Sequence, residues 1–186
     1  MPPKVKITKG QIVEAALQLV RQKGPEALNA RGLAAALGCS TQPLFSNFEN
    51  MEQIRLAAVA AAEQLNKEFI DREIGQGKYP PYKASGMAYI RFAKEERELF
   101  KLLYMRDRTK EVIPEDTELN QQMSELVQTN TGLGASEGEL FHFEMWAFVH
   151  GIAVMMTTEF LDIDEELVSR MLTDAYQGLR QRFRLE

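Results

Sequence analysis

Four uncharged polar side chains near the amino terminus have the chemistry needed to read a nucleic acid. Residues 32–48 carry no charge, and hydroxyl and amide groups are clustered at their end. Such groups suit hydrogen bonds to base edges, and a glutamine can bond an adenine edge in a bidentate way. A polar surface on a plain helical hairpin would show the same residue types. The four side chains are Thr41, Gln42, Ser46 and Asn47.

The charge distribution gives the same region an attraction to a polyanion. Residues 1–48 contain six basic and two acidic residues, a net charge of +4, whereas the whole chain carries −5 and the remainder therefore −9. A basic segment on an acidic body can orient a molecule towards phosphates. A solvated tail is the alternative interpretation of the lysines. The predicted phosphate-binding cations are Lys4, Lys6, Lys9 and Arg31.

Three short helices are predicted to hold these side chains. Thr8–Gln11 has the form of a capping box, and Asn29 and Ser40 offer two further N-caps. Gly24 and Gly38 follow the first two helices, where glycine commonly ends a helix. A helix, a short turn that contains glycine and a second short helix form a helix-turn-helix.

The apolar residues of this segment recur at helical spacing and predict a shared core. The second helix of the pair would then lie in the major groove, with its polar face against the bases. The predicted core residues are Ile12, Leu19, Leu28, Leu33, Leu37, Leu44 and Phe48.

The rest of the chain predicts a helical body, so we expect an all-α protein with a head at residues 1–50 and a body at 51–186. Capping boxes at Asn50–Gln53 and Ser136–Glu139 open two long helices, and residues 75–81 form the clearest loop. The last helix has an apolar stripe at Val168, Leu172, Ala175, Leu179 and Phe183. The predicted helices cover residues 51–69, 84–93, 97–105, 118–129, 136–160 and 165–184, with a connector at 107–116.

Aromatic and methionine side chains of the middle helices are candidates for the wall of a ligand pocket. Such linings accept varied apolar ligands. The same residues at helical spacing also build ordinary cores, and a core or interface role is the alternative for the histidine among them. The predicted wall residues are Tyr89, Phe92, Phe100, Tyr104, Met123, Met145, Trp146 and His150.

Composition excludes several other classes of protein. The single cysteine, Cys39, rules out an internal disulfide and any zinc site built of cysteines. The longest apolar stretch without charge, residues 145–158, is too short to span a bilayer, and no signal peptide is visible. We therefore expect a soluble, cytoplasmic protein without a membrane partner.

The stretch from Ile7 to Leu56 resembles the amino-terminal domain of the TetR family of transcriptional regulators (TetR/AcrR type). The motifs that carry the resemblance are Leu33-Ala34-Ala35-x-Leu37-Gly38-x-Ser40 and Leu44-Phe45-x-x-Phe48. The resemblance implies a three-helix DNA-binding head on a helical body that binds a ligand and dimerises. It also implies phosphate or base contacts from Arg31, Ser40, Thr41, Gln42, Phe45, Ser46 and Asn47.

Three positions depart from the family pattern. The family usually has Tyr in place of Phe45, His or Tyr in place of Asn47, and Lys in place of Met51. These departures place the electrostatic part of binding mainly on Arg31 and the lysine arm. Farther along the chain, Trp146-x-x-x-His150-Gly151 resembles a signature of one subgroup's carboxy-terminal domain.

The resulting hypothesis is a homodimeric regulator, most simply a repressor, that a small molecule releases from a palindromic operator. The last two helices would pair the subunits, and no cofactor, metal or enzymatic activity is expected. One alternative is a helical small-molecule-binding protein whose head is weak or silent. The other, a carboxylate-bridged metal enzyme, is suggested by Glu139-x-x-His142 but needs a second such motif, which the sequence lacks.

Overall fold

The computed structural model describes residues 7–107, 109 and 118–185, and over this part of the chain the regular structure is helical, without strands. This confirms the all-α prediction. The α-helices are α1 (Lys9–Lys23), α2 (Ala30–Ala36), α3 (Gln42–Asn47), α4 (Met51–Gln76), α5 (Pro81–Glu95), α6 (Arg97–Tyr104), α7 (Glu118–Thr131), α8 (Ala135–Thr157) and α9 (Glu165–Arg182). A short 3₁₀ turn, Pro25–Ala27, joins α1 to α2.

Local capping chemistry sets the ends of the first helices as the sequence predicts. The Thr8 hydroxyl accepts a hydrogen bond from the Gln11 backbone, and the Gln11 side chain accepts one from the Thr8 backbone at 2.9 Å. The Asn29 side chain accepts from the backbone N–H of Gly32 at 2.9 Å. Gly38, with φ at +62°, follows α2 in the left-handed conformation that glycine adopts without strain.

Two of the predicted N-caps are wrong. Helix α3 begins at Gln42, not after Ser40, because Pro43 occupies the first turn, where its missing N–H has no intrahelical partner to lose. Helix α8 begins at Ala135 behind an extended Gly134, so Ser136 lies inside the helix and its side chain makes no cap. The predicted loop at 75–81 is shorter, since α4 continues to Gln76.

The chain packs as two compact units. One contains the residues up to Leu65 together with Glu96–Asp107, and the other contains Asn66–Glu95 and the chain after Asp107. Helix α4 runs continuously from the first unit into the second, whereas α6 belongs to the first. The head boundary at residue 50 therefore stays a prediction, and the connector at 107–116 lies largely outside the described residues.

In the first unit, α1 packs against α2 and α6. The predicted core side chains are at most 8% exposed, apart from the half-buried Leu37. The guanidinium of Arg21 in α1 donates to both carboxylate oxygens of Glu96, each at 2.8 Å, at the start of α6. This bidentate pair fixes α1 against α6.

In the second unit, α5 is buried along most of its length among α7, α8 and α9. The apolar stripe of α9 faces inward: Ala175, Leu179 and Phe183 pack against a cluster that includes Tyr82 and Phe141. Ala175, Leu179 and Phe183 are only partly buried in one chain, so the expectation that the last two helices pair subunits stays a prediction. The large apolar side chains exposed on α8 are Leu140, Phe143, Trp146 and Phe148.

Helix α8 has both a core face and an exposed face. Among the described helices it alone has the length and composition of a membrane span, with a mean hydropathy of 1.2 over 18 residues. A buried core helix passes the same test, and the exposed face of α8 also carries Glu139 and Glu144.

Two helical glycines should respond oppositely to alanine. A Cβ on Gly32 would lie 2.7 Å from the carbonyl oxygen of Ala27, whereas one on Gly75 meets no atom within 4 Å. We expect Gly32→Ala to lower the free energy of unfolding by about 1–3 kcal/mol, and Gly75→Ala to raise it by up to about 1 kcal/mol. Urea unfolding followed by circular dichroism measures both, and equal stability of the two variants would contradict the packing described for α2.

Candidate functional site

Helix α3 presents a small polar surface at its start. Gln42 is exposed at the first helical position, Thr41 is half-buried just before it, and the Phe45 side chain is 45% exposed one turn later. The Ser46 hydroxyl is exposed but donates to the Gln42 carbonyl oxygen at 2.9 Å. Gln42 is therefore the side chain of this face best placed to bond a base edge.

Asn47 is engaged inside the head. Its amide nitrogen donates to the carbonyl oxygen of Ile7 at 3.1 Å and to that of Pro43 at 2.8 Å. Phosphate oxygens require donors, so a phosphate contact would cost Asn47 one of these bonds. In this arrangement Asn47 ties the entry of α1 to α3.

Two cations are exposed on the helices that precede α3. Arg31 is exposed in α2, and Lys9 is exposed at the start of α1 with its ammonium 5.3 Å from the centre of the Phe48 ring. Ser40 is exposed in the turn before α3. Lys4 and Lys6 lie outside the described residues. In such an arrangement the uncharged side chains of α3 can bind bases while the cations bind phosphates.

The predicted pocket residues divide into separate groups. Phe100 and Tyr104 lie in α6, within the first compact unit, and their rings contact each other at 4.9 Å. The other six lie in the second unit, where Met145 belongs to the cluster of Phe141.

The remaining groups of predicted pocket residues lie along α5, α7 and α8. Met123 packs with Ile70 and Ala88. Phe92 makes an edge contact with Phe69, 5.4 Å between ring centres. Tyr89, Trp146 and His150 form a third group.

Two tyrosine–histidine pairs join α5 to α8. The Tyr89 hydroxyl lies 2.9 Å from Nδ1 of His150, and that of Tyr82 lies 3.1 Å from Nδ1 of His142. The indole of Trp146 stacks on His150 with 4.8 Å between ring centres. Burial lowers the pKa of both histidines. His142 is thus bound to Tyr82, and no three metal-ligating side chains converge anywhere in the described residues.

The lowered histidine pKa values predict a loss of stability in mild acid. Below the unfolded-state value, about 6.5, the unfolded chain binds protons that the folded chain does not. The free energy of unfolding should therefore fall as the pH drops from 7 towards 5, with the larger part of the loss from His142, since solvent screens the less buried His150. Thermal unfolding between pH 7.5 and 5.5 measures this loss. The double variant His142→Gln/His150→Gln should flatten the curve, and an unchanged slope would refute the assignment.

A buried ion pair in the second unit was missed by the sequence interpretation. The Glu73 side chain in α4 is 2% exposed, and its Oε2 accepts a hydrogen bond from Nη1 of Arg91 in α5 at 2.5 Å. Nη2 of Arg91 lies 3.7 Å from Glu165 at the start of α9. The signal in the sequence is the position of Glu73, three residues after Ile70 and four after Phe69 at helical spacing.

Comparisons with known proteins agree with a DNA-binding head on a helical body. Residues 12–58 match the model for "Bacterial regulatory proteins, tetR family", and residues 82–175 match that for "Tetracyclin repressor-like, C-terminal domain". No curated protein matches the chain.

Solved structures of two bacterial proteins share the fold. A TetR-like transcriptional regulator from Rhodococcus sp. RHA1 aligns with a TM-score of 0.69 at 14% identity, over 96% of this chain and 98% of that one. A TetR family member from Streptomyces coelicolor A3 aligns with a TM-score of 0.64 at 19% identity, over 90% of this chain and 97% of that one.

Proposed function

Because the chain belongs to the TetR family of DNA-binding transcriptional regulators, we propose that it is a ligand-responsive homodimer that represses transcription from a palindromic operator. Residues 1–50 form the DNA-binding head and residues 51–186 the ligand-binding and dimerisation body. Regulators of this family are soluble cytoplasmic proteins and generally not enzymes.

The observation that carries the DNA-binding part is the exposed start of α3. Gln42 projects from an uncharged helix, and Arg31 and Lys9 lie exposed on the neighbouring helices. In a recognition helix, the first turn lies against the base edges. Its amide groups supply sequence selectivity, and cations on neighbouring helices supply affinity for the phosphates. Arg31, Lys4, Lys6 and Lys9 would bind phosphates, and Gln42 with Thr41 would read bases.

The exposed apolar face of α8 supports a homodimer. Phe143 is 62% exposed and Leu140 47%, on a helix whose opposite face is buried. Gly151 lies on the same exposed face with nothing within 4 Å of its missing Cβ, which leaves room for a partner backbone. Two heads in a symmetric dimer would read half-sites about 34–36 Å apart.

Release by a small molecule would proceed through α4. This helix is continuous from the first unit into the second, so a change in its second half can move the heads. A ligand shifts this equilibrium only by its differential affinity for the two states, typically about 1–3 kcal/mol.

A helical small-molecule-binding protein with a weak or silent head is the second candidate. It is favoured by the engagement of the Asn47 amide within the head and by Phe45, which has no hydroxyl to offer a phosphate. The two candidates differ in salt dependence, because a functional head must release counterions and bind more weakly as salt rises.

Substitutions of Gln42 and Lys9 should separate base reading from phosphate binding. On duplexes selected from a random pool, we expect Gln42→Ala to lose about 1–3 kcal/mol of discrimination at one base position. Lys9→Ala should weaken binding to all sequences alike and reduce the salt slope by about one. Fluorescence anisotropy at several salt concentrations measures both effects. Identical behaviour of the two variants would contradict the proposed roles.

A further inference from the structure

We propose that the buried carboxylate of Glu73 binds the protonated amine of an apolar ligand. The ligand class is a primary or secondary alkylamine whose ammonium donates to Oε1 of Glu73 and whose hydrocarbon part lies on the apolar cluster beside it. That the site binds an amine is argued from the contacts of the second unit alone. That this amine is the effector of the regulator rests on the proposed function.

One carboxylate oxygen of Glu73 accepts a hydrogen bond, and the other accepts none from the described residues. Its Oε2 is held by Arg91 at 2.5 Å. Its Oε1 is buried and accepts no hydrogen bond from any described residue. Arg91 does not serve Glu73 alone, because its second nitrogen faces Glu165, which also binds Lys78 at 2.6 Å. A buried carboxylate oxygen without a hydrogen-bond donor destabilises the folded protein. A ligand that supplies a donor removes this penalty, and the gain adds to its binding free energy.

A second buried acceptor points to the same ligand chemistry. Nε2 of Gln122 in α7 donates to Asp71 of α4 at 2.9 Å, which holds α7 beside α4. Its Oε1 is buried and, like that of Glu73, accepts no hydrogen bond from the described part of the chain. Both atoms are acceptors, so each needs its own donor. Asp71 and Glu73 are two residues apart in α4 and do not face the same side, so the ammonium is assigned to Glu73 alone. An anion or a ligand that offers only carbonyl oxygens would leave both atoms unsatisfied.

The surroundings of Glu73 suit a hydrocarbon chain. Ile70, Ala88 and Met123 form a buried cluster between α4, α5 and α7. The residues packed around it are partly buried, and methionine adapts its shape to varied apolar groups. These partly buried residues are Phe69, Ile74, Leu119 and Leu126.

The test compares three probes that share an eight-carbon chain and differ in the head group. Calorimetric titrations at pH 7 would use n-octylamine, n-octyltrimethylammonium and 1-octanol. n-Octylamine carries charge and N–H donors, the quaternary ammonium carries charge without N–H donors, and the alcohol carries no charge. A charge-assisted hydrogen bond to Glu73 should give n-octylamine about tenfold or greater preference over both.

Two variants assign the preference to one carboxylate. Glu73→Gln should reduce n-octylamine affinity about tenfold or more and leave 1-octanol within about twofold. Glu125→Gln is the matched control, since it removes an exposed carboxylate of α7, and it should leave n-octylamine affinity unchanged. If Glu73→Gln fails to fold, the comparison of the three probes on the natural chain decides.

Several results would overturn the inference: no binding of n-octylamine, equal affinity for all three probes, or unchanged n-octylamine affinity in Glu73→Gln. The readout does not involve DNA. Amine binding that depends on Glu73 therefore supports the site even where no duplex is selected. A selected palindrome without amine binding supports the regulator and overturns the site.

Discussion

Replacing Arg91 with methionine should lower the free energy of unfolding by about 3–5 kcal/mol, because removing one partner of a buried ion pair leaves the other charge uncompensated. The Glu73 side chain is 2% exposed and Arg91 is its hydrogen-bond partner. The Arg91 side chain is 31% exposed, whereas the carboxylate that it leaves behind is buried. For a chain of this size the midpoint of thermal unfolding should fall by roughly 6–20 °C.

A double variant distinguishes a lost charge partner from lost packing. Glu73→Leu/Arg91→Met replaces both ions with apolar groups of similar volume, a change that is often neutral or stabilising. We expect it to recover most of the stability that Arg91→Met loses, as measured by urea unfolding. A double variant as unstable as Arg91→Met would show that the arginine acts by packing alone and would remove the basis for a buried, charged Glu73.

Replacing Phe143 with glutamate should yield a folded monomer that binds the operator about 10²–10⁴-fold more weakly. Phe143 is 62% exposed in one chain, so the carboxylate does not enter the core of the subunit. In a symmetric pair of α8 helices the same charge would appear twice in an apolar interface, where it is desolvated. Losing the dimer removes the effective concentration that links the two heads.

Leu56→Glu is the matched control for Phe143→Glu. Leu56 is 47% exposed on α4 and belongs to the first unit, whereas α8 belongs to the second, so its variant should remain dimeric. Sedimentation equilibrium and operator titration measure assembly and affinity for both variants. A dimeric Phe143→Glu protein would contradict the use of this face between subunits.

The sequence predicts the head well because short-range chemistry fixes it. Asn29 and Gly38 act within a few residues of their own positions, and the structure confirms both. The failure at Ser40 has an equally local cause, since Pro43 restricts where α3 can begin. Capping patterns identify the helices but not always their first residue.

The body is less predictable because its faces are assigned by tertiary packing. The α9 stripe looks the same in the sequence whether it packs inside one chain or between two, and Leu179 and Phe183 pack on the core of one chain while staying partly exposed. The pocket prediction chose aromatic residues and missed Glu73, whose burial depends on Arg91 from another helix. The periodicity of the sequence shows neither that Arg91 pairs with Glu73 nor that Oε1 of Glu73 lacks a hydrogen bond.

Selection of bound sequences from a random duplex pool, at two salt concentrations, tests whether the chain is a dimeric, sequence-specific DNA-binding protein. We expect recovery of a palindromic motif with half-sites about one helical turn apart, and weaker recovery at the higher salt concentration. Failure to recover any motif with a folded, dimeric protein would contradict it and would favour a ligand-binding body with a silent head.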